Sequence, residues 1–117
     1  SFLCIYDALF VVIYNAAKHG KENSCLFSNI TYNLESQIIN FEIISDIKDT
    51  DIESDINSRL QISSDEDIET AQLIENNSGV KKLYNLDRYD DYFTLNKIEC
   101  YKRKVYVSFN YRIKTNV

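Results

Sequence analysis

The stretch Lys104-Val105-Tyr106-Val107-Ser108-Phe109-Asn110-Tyr111-Arg112-Ile113 alternates for ten residues. Only a strand with one buried face sets every second side chain on the same side. Val105, Val107, Phe109, Tyr111 and Ile113 are therefore expected to face a core. Residues 93–101 read as a second strand. Lys102-Arg103 is left between the two as a tight turn, so the end of the chain is a hairpin.

Residues 24–46 read as another hairpin. The runs 26–34 and 38–46 flank the polar, turn-like Glu35-Ser36-Gln37, and Ile39, Phe41 and Ile43 share one face of the second run. Ahead of them, residues 5–20 form one helix. Phe2, Tyr6, Leu9, Ile13 and Ala16 recur at helical spacing and are expected to face the core, with Ile13 against Ile43, Val107 and Phe109. Asn15 lies off that stripe, near Cys4, Ala8, Val11 and Lys18. An amide on this second, still largely apolar face needs a partner, which a backbone carbonyl or a water supplies in an ordinary helix. Gly20 reads as the helix stop, a residue entering the left-handed conformation.

Between the hairpins the charge turns one-sided. Residues 42–75 hold eleven acidic and two basic side chains, whereas Gly79 onward holds nine basic and four acidic. Ile52, Ile56 and Leu60 predict one helix, 61–64 a loop, and Ile68 with Ala71 a second helix capped by Ser64 or Asp65. The thin apolar stripe predicts that 47–64 is the least protected segment in hydrogen exchange. Ser78 can cap a further helix running to about Tyr89, with Val80, Leu83 and Leu86 on its stripe.

A chain of 117 residues is one domain with room for a core. With only two glycines the chain argues against a long glycine-rich phosphate loop of the usual kinds. A net charge of -5 disfavours nucleic acid as a partner. No apolar run is long enough to insert in a membrane and no export signal is visible, so a cytoplasmic location is expected. The chain opens at Ser1, almost inside a helix, and is expected to be a domain excised from a longer protein. Cys4, Cys25 and Cys100 show no pair spacing and read as free thiols. Neither they nor His19 show metal-ligand spacing, and nothing local supports a Cys–His nucleophile.

The run Ile13-Tyr14-Asn15-Ala16-Ala17-Lys18-His19 resembles the N-box of the GHKL (Bergerat-fold) ATPases and the ATP-binding domains of histidine kinases. The stretch Asn76-Asn77-Ser78-Gly79-Val80-Lys81-Lys82 is similar to the glycine box of divergent bacterial GHKL-like domains. Ser78, Gly79, Val80 and Lys82 (or Lys81) match, and Asn76 and Asn77 stand where glycines are usual. The order of elements also fits. The resemblance implies an α/β fold, a two-layer sandwich with a mixed, mostly antiparallel sheet covered by helices on one face. It implies Mg-ATP as cofactor and ATP or ADP as ligand, with other domains of a parent chain as further partners. Asn15 would hold magnesium through the nucleotide. Asp46, at the end of the second strand, would accept a hydrogen bond from adenine; otherwise it is a helix cap or a solvated strand end. Lys18, Asn77, Ser78, Gly79, Val80 and Lys82 would surround the phosphates, with residues from about 47 forming a lid.

The departures bear on mechanism. Both glycines that should follow Asp46 are missing. Val11 stands where hydrolytic members carry a water-orienting glutamate, so no catalytic residue is expected and no hydrolysis by the domain alone. Two readings follow: a nucleotide-binding domain, or a pseudo-ATPase kept as an interaction or regulatory module.

Overall fold

The computed structural model describes residues 2–65 and 78–113. In order these form α1 (Phe2–His19), β1 (Phe27–Asn33), β2 (Ile38–Asp46), α2 (Glu53–Asp65), α3 (Ser78–Tyr89), β3 (Phe93–Tyr101) and β4 (Lys104–Arg112). The fold is α/β: three helices and a four-stranded sheet in the order β1-β2-β4-β3. Every strand pair is antiparallel, so the sheet is not mixed. Among the described residues no helix is long and apolar enough to cross a membrane. The second helix expected in the acidic segment falls outside the described residues. The loop expected over 61–64 is instead the continuation of α2.

The alternation of β4 works as expected. Val107, Phe109 and Tyr111 are buried, and Phe41 and Ile43 of β2 join them from the neighbouring strand. Phe41 and Phe93 stack on Phe109 with ring centroids 4.9 and 5.3 Å away. β3 keeps Leu95 and Ile98, three apart, on this same face through a bulge between Leu95 and Lys97. The turn at Lys102-Arg103 has φ of 50° and 68°, the two positive values of a type I′ turn.

The helix α1 buries a different stripe from the one its larger side chains suggest. Cys4, Ala8, Val11 and Val12 are buried, and Leu9 is partly buried beside them. Tyr6 and Ile13 are 65% and 48% exposed, so the expected contact of Ile13 with Val107 and Phe109 does not form. Both faces of the helix are apolar, and the sheet and α3 close onto the side with the smaller residues. Gly20 also differs from expectation, because it does not have a positive φ. A Cβ there would lie 2.3 Å from the Ala16 carbonyl oxygen and 3.2 Å from that of Asp46. Close approach selects glycine: Gly20 bridges to Ile47, joining the end of α1 to the end of β2.

A smaller core of Ile47, Ile56 and Cys100, with Leu60 and Val105, seats α2 against β3. The Asn57 amide clasps the outer edge of β3. Its Nδ2 donates to the Cys100 carbonyl and its Oδ1 accepts from the Cys100 N–H, both at 2.8 Å.

Candidate functional site

Where α1, α2 and α3 meet over the sheet they enclose a cavity of about 110 Å³. Its floor is apolar: Ile43, Ile47, Ile98, Val105 and Val107 from the strands, with Leu83 and Val80 from α3. Asn15, His19, Ser45, Asp51 and Arg59 supply the polar part of the wall. The face of β2 that carries Ile43 forward to the cavity also carries Ser45, by simple alternation.

Asn15 is fixed by the close crossing of α1 and α3. A Cβ on Gly79 would stand 3.1 Å from Asn15 Nδ2, 3.3 Å from its Oδ1 and 3.4 Å from Val11 Cγ1. The first turn of α3 therefore rests directly on the Asn15 amide. This turn carries the N–H groups that a helix start leaves without intrahelical partners. Val80 lines the same cavity.

The other expected site residues divide. Asp46 belongs to the cavity wall, but its carboxylate accepts an ion-paired hydrogen bond from Lys104 Nζ at 2.5 Å. Asp46 and Lys104 are directly opposed in the β2–β4 ladder and out of phase with Ile43, Ser45 and Val105. The pair thus lies on the side of the sheet away from the helices. Lys18 is exposed, with its ammonium 5.9 Å from the Tyr14 ring centroid, and is not part of the cavity wall. Lys82 is exposed on the other side of α3, in a separate hollow with Asp7, Asn85 and Asp90. Its neighbour Lys81 points inward and is 2% exposed. Asn77 lies outside the described residues, and Ser78 opens α3.

The charges around His19 are mostly cationic. Burial lowers the pKa of His19 from its usual 6.5, and Lys18, Arg59 and Lys48 push it the same way against Asp51. The two buried thiols are held in the protonated form. Burial, with Asp90 beside it, pushes Cys4 up to about 11, and burial also raises Cys100. Among the described residues no group of histidine, cysteine and carboxylate side chains could hold a metal.

Residues with no expected role hold the wall in place. Arg103 donates through Nη1 to the Asp51 carbonyl at 2.6 Å and through Nη2 to the Lys48 carbonyl at 2.7 Å. Its backbone N–H donates to Glu53 Oε1, and its carbonyl accepts from the Ile47 N–H. Tyr84 Oη donates to the Leu60 carbonyl at 3.1 Å. The segment expected to be a loosely held lid is in this way tied to the β3–β4 turn and to α3. One signal in the sequence pointed here. A two-residue turn made of Lys-Arg, without glycine or asparagine, needs outside contacts to hold both residues at positive φ. Compared with family models, with curated proteins and with solved structures, the chain matches none.

Proposed function

We propose that the cavity under α2 takes the base of an adenine nucleotide, with Mg-ATP or ADP as the ligand, in the manner of a GHKL-type domain. One observation carries the reading. The Asn15 amide and the first turn of α3 are packed against each other at the wall of an apolar cavity. A flat apolar base suits that floor. The phosphates suit the free N–H groups and positive end of α3. Asn15, beside them, is suited to hold a magnesium ion that the phosphates carry. Val11 is buried and apolar, so the site binds without activating water, and the reading assigns no hydrolysis. ATP is a cytoplasmic ligand, and that location goes with the proposal.

Adenine recognition is assigned differently from the resemblance. Asp46 borders the cavity, but its carboxylate is engaged by Lys104 and reaches a base only by leaving that partner. Ser45 is already on the cavity side. Ser45→Ala is expected to weaken ATP binding, whereas Asp46→Ala leaves it close to wild type.

The second reading, a pseudo-ATPase serving as an interaction module, draws on the cavity's size. At about 110 Å³ it is smaller than the roughly 300–1,000 Å³ clefts that hold whole cofactors. Calorimetry with ATP, with and without magnesium, separates the two. Heat and a raised melting temperature support the nucleotide reading. Their absence at millimolar ATP leaves the interaction module.

A further inference from the structure

The two edges of the sheet are finished in opposite ways. β3 is covered: Asn57 clasps Cys100, and Asp87 Oδ1 accepts from the Leu95 N–H at 2.8 Å. β1 is bare. All of its residues are exposed, it contains no charge, no proline and no bulge, and no side chain among the described residues is bonded to its outer edge. A flat, uncharged edge strand is a template for another strand, and monomeric proteins normally block one.

Above this edge lies the second unpartnered surface. α3 packs on α1 through Val11 and Asn15, and α1 sits over β2 while α3 sits over β3. Steps of 100° put Tyr6 and Ile13 on the side of α1 turned away from Asn15, with Phe10 and Leu3 above them on the crest of the helix, where Phe10 also borders the hollow beside α3. The side with Tyr6 and Ile13 is turned toward β1, since α3 holds the opposite side of α1. Register places Ile30 opposite Phe41 and Tyr32 opposite Ile39, so Ile30 and Tyr32 are on the helix side of the sheet, yet none of the described helices covers them. Leu3, Tyr6, Phe10, Ile13, Ile30 and Tyr32 are between 48% and 66% exposed. The rings of Tyr6, Phe10 and Tyr14 are already ordered, stacked along the helix at 6.4 and 5.8 Å.

We propose that β1 and the outward side of α1 together form the interface of a symmetric dimer with a second copy of this chain. The two β1 strands pair antiparallel about Ile30, making one continuous eight-stranded sheet, with Ser28 opposite the partner's Tyr32. The two α1 helices close over the joint. The surface is self-complementary in the way a two-fold interface requires, since one patch supplies both sides. It carries no like charges to repel. Its area is sufficient: six large side chains at roughly 150–250 Å² each, half to two-thirds exposed, present on the order of 600 Å². Two copies then bury roughly 1,200 Å² before any strand backbone is counted, the lower bound of stable interfaces. This inference stands apart from the nucleotide reading.

Sedimentation equilibrium of the chain across concentrations up to about 1 mM tests it. The expected result is a concentration-dependent dimer mass. Ile30→Lys and Phe10→Lys are each expected to raise the dissociation constant at least tenfold. Both side chains are exposed, so the far-ultraviolet dichroism of the two variants should match the parent. In a Cys25→Ser background, Ile30→Cys should oxidise to a disulfide-linked dimer, because the axis brings the two copies of that residue together. A monomer at every concentration overturns the proposal and leaves the face to a different chain. A dimer that both lysine variants leave intact overturns it too, by locating the contact elsewhere.

Discussion

Gly20 and Gly79 are the only glycines of the chain, and both are selected by contact. At Gly20 a Cβ meets backbone oxygen at 2.3 Å, and backbone cannot step aside cheaply. Gly20→Ala is expected to cost about 1–3 kcal/mol in urea unfolding, the range for forced overpacking. At Gly79 the obstacle is the end of the Asn15 side chain, 3.1 Å away, which can turn. Alanine is also the better helix former by about 1 kcal/mol. Gly79→Ala should therefore leave stability within about 1 kcal/mol of the parent while displacing the amide that the nucleotide proposal depends on. Loss of stability without loss of ATP binding would reverse that assignment. His19 gives a pH test. Its pKa is below 6.5 in the folded protein because of burial first and the cations Lys18, Arg59 and Lys48 second. As pH falls through 6.5 the unfolded chain takes up the proton before the folded one does, so stability declines from there toward the lowered value. Above 6.5 His19 contributes no slope. His19→Gln should flatten that part of a plot of urea midpoint against pH; an unchanged slope would show that the decline comes from other groups.

At the scale of elements, the strands and the stripes of α2 and α3 were legible in the sequence, and the buried face of α1 was not. Strand alternation has a period of two, so Phe41, Ile43, Val107 and Phe109 declared their side at once. The bulge that brings Leu95 and Ile98 into phase was not read from the sequence, where 93–101 is an ordinary strand. α1 offered two apolar faces, and size pointed to the wrong one. The choice depends on how near α3 comes, and that follows from Gly79, far away in the chain. The same limit applied to the site. Asn15 and the start of α3 could be singled out from local motifs, but the phase of Asp46 relative to Ile43 decides its side, and its pairing with Lys104 is a cross-strand matter. The Arg103 contacts are likewise long-range, spanning more than fifty residues. They can be tested against the strain they hold. A non-glycine residue at φ of 68° is strained by about 1–2 kcal/mol. Arg103→Ala removes the contacts and keeps the strain, whereas Arg103→Gly removes both. The alanine variant should be the less stable by about 1 kcal/mol. In both, amide exchange over 48–57 should quicken. Equal stability of the two would mean that the turn holds its shape without strain.

For the molecule as a whole, the central tension is between a small cavity and a large proposed ligand. About 110 Å³ accommodates the base of a nucleotide at most. The sheet, α1 and α3 share one continuous core, so they are not the parts that can give way. α2 rests on a separate, smaller core of three buried residues. Discrete polar contacts add to its hold, among them Asn57 to the β3 edge, Glu53 and the Lys48–Asp51 carbonyls to Arg103, and the Leu60 carbonyl to Tyr84. Admission of a nucleotide then requires α2 to swing out, which breaks these contacts before any ligand contact is made. This opening adds to the barrier for binding and reduces the apparent affinity by the fraction of molecules already open. Weakening the contacts has opposite effects on stability and on association. Asn57→Ala leaves the Cys100 N–H and carbonyl unpaired and should lower the unfolding free energy by about 1–3 kcal/mol. The same variant, together with Arg103→Ala, should bind Mg-ATP with a faster association rate than the parent in stopped-flow measurements. A pre-formed site predicts the reverse pattern, in which every loss of stability around α2 slows association or leaves it unchanged. Faster association in a less stable protein is thus the signature that α2 is the moving part, and a slower rate would assign the opening to another element.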